Sequence, residues 1–175
     1  MYQRILVPID GSPNAAHGLQ LALDLARDQR QQPRLTLLHV VDDLSMLLEM
    51  STVAHYRELL EGLRRYGQAL LDKSKALASS LGIEAEAVLR EVSQGRIADV
   101  ILEEARHACC DLVVMGTHGR RGGSRIAIGS DAEQVVRTSP VPVLLARHEE
   151  PLQASFLSGF QRQAHAYSKA AVPMQ

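Results

Sequence analysis

Short apolar runs alternate along the first 147 residues with longer stretches in which apolar residues recur every third or fourth position. Arg4 to Ile9 is apolar after its first residue and rich in β-branched side chains, which predicts a strand buried on both faces. Ser12 reads as a helix N-cap and Pro13 as its first helical residue. Leu19, Ala22, Leu23 and Ala26 then carry a helix to about Arg30. A second strand follows from Arg34 to Val41, and residues 42 to 53 lack a period and read as a loop. From Val53 to Leu81 the spacing predicts a long helix with Leu59, Leu63, Tyr66, Leu70, Leu77 and Leu81 near one face. Gly62 and Gly67 within it mark close packing or a bend, and Gly82 is a C-cap glycine. Alternation over Ile83–Val92 gives a third strand, and Ser93 to Gly95 a turn. Ile97, Val100, Ile101 and Ala105 give a third helix ending near His107, and Asp111–Met115 a fourth strand. Ser130 and Glu133 read as an S-x-x-E capping box for a fourth helix with Ala132, Val135 and Val136 inward. Val141–Ala146 is a fifth strand, at an edge or pairing only from Val143, because Pro142 cannot donate to a ladder.

Strands joined by helices need crossover connections, so this order predicts an α/β protein with a doubly wound five-stranded parallel sheet and helices on both faces. Ligands of such sheets bind at the carboxyl ends of the strands, near the switch point. In the order 3-2-1-4-5 the ends of strands one and four are neighbours there. Residues 148–175 do not continue the pattern and read as an extension to a domain spanning 1–147. Phe156, Phe160, Ala164, Tyr167 and Ala171 approximate a helical face, but Pro151 and Gly159 interrupt it, leaving a short helix and a partly disordered tail as alternatives.

Charge sharpens one loop. No Asp or Glu occurs between Leu112 and Ser130, while Arg120, Arg121 and Arg125 fall there among Gly116, Gly119 and Gly129. A strand that stops, a glycine-punctuated loop and a helix N-terminus together make a seat for an anion, so this is a phosphate-binding loop. Gly119 and Gly129 admit close backbone approach, Ser130 offers its backbone N–H, Asp10 can accept from hydroxyls, and Val40 at a strand end suits the face of a base. The whole chain has a net charge of −1 and 3% aromatic residues, which argues against a nucleic-acid partner. The apolar run Ile5–Ile9 is too short for a signal peptide or membrane span, so a cytoplasmic location is expected. Cys109 and Cys110 are adjacent and read as free thiols, small apolar fillers ahead of a strand.

The spacing Gly116-x-x-Gly119, nine residues, Gly129-Ser130 resembles the nucleotide-binding signature of the universal stress protein family. Arg4 to Ser12, Leu37 to Val40 and Pro140 to Leu145 are similar to that family's first, second and last strands. The resemblance implies the 3-2-1-4-5 sheet and a homodimer through the last strand, 141–147, with a further protein partner left open. It also implies ATP as ligand. Pro8 and Ile9 would line the site, Asp10 would meet ribose or base, and Val40 would pack on adenine. Met115, Gly116, His118, Gly119 and Arg120 would approach ribose and phosphates, and Gly129 and Ser130 would hold the phosphates. Asp131 stands where the family commonly has an apolar residue. It points away, or Mg²⁺ bridges it to phosphate, or it lowers affinity. A P-loop ATPase is excluded for want of a Walker lysine motif. The open readings are an ATP-binding stress-response module in which ATP orders loop 116–130, a slow Mg²⁺-dependent ATPase using Asp10 or Asp131, and a nucleotide-free dimeric interaction protein.

Overall fold

In a computed structural model, which describes residues 2–29, 31–42, 53–92, 95–119 and 128–147, the elements run in the expected alternation. They are β1 (Arg4–Pro8), α1 (Pro13–Arg27), β2 (Arg34–Asp42), α2 (Val53–Ser80), β3 (Ala85–Val92), α3 (Ile97–His107), β4 (Leu112–Gly116), α4 (Ser130–Thr138) and β5 (Val143–Ala146). Of the loop expected at 42–53, Asp42 ends β2 and Val53 begins α2, and residues 43–52 lie outside the described residues, as do Ser93 and Gln94, Arg120 with the rest of 120–127, and the tail 148–175.

The strands form one parallel sheet in the order β3-β2-β1-β4-β5. Alternating side chains of each strand feed two cores. Ile5 and Val7 of β1, Leu35 and Leu37 of β2 and Val114 of β4 meet α1 and α2 on one face. Leu6, Leu38, Val113 and Met115 meet α3 and α4 on the other. Burial on both faces explains why β1 is apolar without interruption, each fully buried Ile, Leu or Val contributing roughly 1.5–3 kcal/mol. Ser12 caps α1 as expected, its side chain accepting the Ala15 N–H, with Pro13 opening the helix. β5 lies at an edge and begins at Val143, so Pro142 gives only its carbonyl, which accepts from Val113 N–H at 3.0 Å.

Several local expectations are corrected. The buried row of α2 is Gly67, Leu71, Ser74 and Ala78; of the expected face, Leu70 and Leu81 pack against the core, whereas Leu59, Tyr66 and Leu77 are about two-fifths exposed. The small residues of that row let the helix sit close to the sheet, which the bulkier neighbouring row could not do. Ser130 is the first residue of α4, not its cap. Gly129 occupies the cap position in extended conformation, with no side-chain cap bond, so the capping box does not form. Val136 is exposed, because the short α4 buries only Ala132 and Val135. Cys110 is buried as expected, but Cys109 is exposed.

Cys109 has a structural task instead. It adopts φ +50°, the sole positive φ of a non-glycine residue among those described. Its N–H donates to Arg106 O at 3.0 Å, and Cys110 N–H donates to Ala105 O at 2.8 Å. These two bonds are a Schellman closure of α3, with Cys110 and Ala105 in one core. Gly82 (φ +73°) closes α2 in the same way, Gly82 N–H donating to Ser79 O and Ile83 N–H to Ala78 O, both at 3.0 Å. A left-handed backbone costs a residue with a Cβ roughly 1–2 kcal/mol, and the extra unfolded-state freedom of glycine offsets about half of that. Cys109→Gly is therefore expected to raise the thermal midpoint by a few degrees, and Gly82→Ala to lower it. Calorimetry of the two variants measures both signs.

Burial raises the Cys110 thiol from 9.0 to about 11. As pH climbs through 9.0 toward 11, the unfolded chain ionises this thiol while the folded chain retains the proton. The unfolded state then binds fewer protons, so stability falls as pH rises across that window. The stability advantage of wild type over Cys110→Ala is thus expected to hold constant up to about pH 9 and to narrow above it, as read from urea unfolding. A gap unchanged across the window would contradict the assignment.

Candidate functional site

At the carboxyl edge β1 runs into a tightly bonded turn. Ile9 N–H donates to Leu38 O at 2.7 Å, and Asp10 Oδ1 accepts Ser12 N–H at 2.8 Å, an Asx turn. Gly11 takes φ +83° to complete it. Ser12 Oγ, besides capping α1, donates to His118 O at 3.4 Å and so ties this turn to the loop after β4.

The β4 side is organised by closeness. A Cβ on Gly116 would stand 2.7 Å from the Asn14 carbonyl carbon, so the start of α1 lies directly on the end of β4. A Cβ on Gly119 would stand 2.7 Å from Asp10 Oδ2, and one on Gly129 would stand 3.3 Å from Thr117 O. None of these three has positive φ. The requirement for glycine here is space, not handedness. Thr117 links the parts, its N–H donating to Ala146 O of β5 and its carbonyl accepting Gly129 N–H, both at 2.9 Å.

Between these two ends opens a cleft of about 300 Å³. Pro8, Ile9, Asp10, Val40, Met115, Gly116, His118, Gly119, Gly129, Ser130 and Asp131 all line it, and of the expected residues only Arg120 falls outside the described set. Asp131 lies in the wall of the cleft at the start of α4. Residues missed by the sequence reading complete it: Ala15, Leu38, His39, Asp42, Ile97, Ile101 and Ala132. Ile97 and Ile101 face inward from the first turns of α3 and set an apolar wall beside Val40. The charged side chains among the described lining residues are Asp10, Asp42 and Asp131, with no Lys or Arg. Thr117 Oγ1 lies 3.1 Å from His118 Nδ1, while His118 Nε2 is buried without a hydrogen-bond partner among the described residues. Among the described residues no group of three His, Cys, Asp or Glu is placed to hold a metal ion.

The floor is braced from behind. His39, buried as expected of a packed strand residue, places Nδ1 2.6 Å from Ile9 O and meets Tyr66 edge-on at 6.2 Å between ring centroids. A Cβ on Gly67 would collide with the His39 ring and stand 2.9 Å from Leu89 Cδ1. Gly67 thus lets α2 press His39 against the turn that carries Asp10.

The model of the universal stress protein family matches residues 1–147. The chain belongs to the universal stress protein family. A universal stress protein of Methanocaldococcus jannaschii is 31% identical over 147 residues, covering 84% of this chain and 83% of that protein. A solved structure from the family in Burkholderia pseudomallei is 32% identical, covers 82% of this chain and 95% of its own, and has a TM-score of 0.66. Two more distant structures share the fold alone. One is a universal stress protein family member of Arabidopsis thaliana with AMP bound (18% identity, 84% and 92% coverage, TM-score 0.61). The other is a universal stress protein in complex with cAMP (19%, 85% and 98%, TM-score 0.57). In this universal stress protein the family match stops directly after β5.

The two glycines of α2 are expected to respond with opposite signs. Nothing lies within 4 Å of a Cβ on Gly62, so Gly62→Ala gains helix propensity and stabilises by about 0.8–1 kcal/mol. Gly67→Ala overpacks the His39 contact, a cost of roughly 1–3 kcal/mol that exceeds the same propensity gain when His39 cannot move. Urea unfolding of both variants measures the difference.

Proposed function

We propose that this universal stress protein binds an adenine nucleotide in the cleft between the ends of β1 and β4, and that it serves in the cytoplasm as a stress-response or regulatory module. The observation that carries the reading is one cleft with an apolar wall at one end and, at the other, a helix N-terminus reached past glycines where a Cβ would crowd its neighbours. The residues fit the ligand. Val40, Ile97 and Ile101 would enclose the base, and Asp10 would accept from ribose hydroxyls. The Ser130 N–H would meet phosphate beside His118 Nε2, which has no hydrogen-bond partner among the described residues, while Gly129, its own N–H donated to Thr117 O, would let the phosphate come close. AMP and cAMP in the two distant structures support an adenine nucleotide. ATP, with Mg²⁺ where its phosphates need neutralising, is the form the glycine signature implies.

The ligand would act by contact with residues 116–119 and 129–131, altering a surface that a partner protein or a second copy reads. A second copy would pair through 141–147, since β5 is an edge strand whose Val143, Leu144 and Leu145 are only half-buried. No helix among the described residues is long and apolar enough to cross a membrane.

The first test is chromatography of the small molecules released from heat-denatured protein, with AMP or ATP expected. The second is calorimetric titration of AMP into Gly119→Ala and Gly129→Val. Both side chains intrude on the cleft, and binding is expected to weaken at least tenfold, a cost of about 1.4 kcal/mol. Wild-type affinity in both variants would remove the site.

A further inference from the structure

We infer that Asp131 sets how many phosphates the cleft accepts, favouring nucleosides and monophosphates over ADP and ATP when no divalent cation is present. This rests on the nucleotide reading and concerns the same cleft. α4 begins at Ser130 behind Gly129, which has no side chain to cap the helix, so the first-turn N–H groups are left for a ligand. Asp131, the second helical residue, lines the cleft beside them.

A helix N-terminus carries the equivalent of about half a positive charge, and a full negative charge in its first turn more than cancels it for an incoming anion. Glu133 in the same turn is exposed, outside the cleft, and bound to Arg137 at 2.8 Å. Asp131 forms no ion pair among the described residues. Each added phosphate brings negative charge into its field, so the penalty grows with the phosphate count. The base and ribose, held at the Val40–Ile97–Ile101 end, carry no charge and escape it. His118 Nε2 offers a single hydrogen-bonding atom, which suits one phosphate better than three.

The test is calorimetric titration of adenosine, AMP, ADP and ATP in EDTA into wild type, Asp131→Asn and Glu133→Gln. Asp131→Asn keeps the side-chain shape and removes the charge. It is expected to tighten ATP roughly tenfold and AMP about two- to threefold, consistent with charges several ångströms apart at a protein surface, and to leave adenosine unchanged. Glu133→Gln is expected to change none of them, because its charge lies outside the cleft. Addition of Mg²⁺ is expected to improve ATP binding more in wild type than in Asp131→Asn. Equal gains for adenosine and ATP, or equal effects of Asp131→Asn and Glu133→Gln, would overturn the inference and leave the nucleotide site standing. Failure of adenosine and all three nucleotides to bind wild type would overturn both.

Discussion

The close approach of backbone to backbone at the ends of β1 and β4 is the constraint on which the site depends. Gly116 must pass the first turn of α1, Gly119 must pass Asp10, and Gly129 must pass the carbonyl of Thr117. These contacts arise because β1 and β4 are neighbours while their following helices leave to opposite faces. The crevice between departing helices is the place where a doubly wound sheet presents a ligand with strand ends and helix starts together. A side chain at any of the three glycines would move one wall of that crevice.

The rest of the domain holds this geometry in place. α2 presses His39 onto the carbonyl of Ile9 through the gap that Gly67 leaves. The Schellman closures at Gly82 and Cys109 return the chain from α2 to β3 and from α3 to β4 without a loose loop. The second closure works against the intrinsic preference of a cysteine backbone. The bonds from Cys109 and Cys110 and the burial of Cys110 hold it there. Local preference yields to tertiary packing at that position.

Legibility from sequence followed the range of the interaction. β1 could be read because burial on both faces leaves an unbroken apolar run, and α1 because Ser12 and Pro13 mark its start. The two apolar rows of α2 lie only a residue apart, and hydrophobicity favours the one with Leu59, Tyr66 and Leu77. Closeness to the sheet favours the one with Gly67, Ser74 and Ala78, and a periodicity cannot see the sheet. Ser130 looked like a cap because the backbone of Gly129, extended at φ −62° and ψ 148°, fills that role with no side-chain signal. The glycine-marked residues of the cleft, with Asp10 and Val40, were legible because each sits at a strand end or in one contiguous loop. Ile97, Ile101 and Asp42 were not, since only the packing of α3 against the sheet and the length of β2 bring them to the cleft. Nothing in a cysteine pair signals the left-handed turn at Cys109.

The cleft sets two kinds of recognition against each other. Its apolar wall gains by burying a flat ligand, at roughly 25 cal/mol for each Å² of apolar surface removed from water. That gain has no sign of charge and falls on any planar base. The polar end offers oriented N–H groups whose benefit decays within one helical turn, next to carboxylates whose repulsion extends about a Debye length, near 8 Å at physiological ionic strength. The short-range donors therefore act only on an atom placed against them, while the longer-ranged charges act on the whole phosphate chain. Affinity for the proposed nucleotide would accordingly reside in the base and ribose, with the phosphate end deciding among ligands already held.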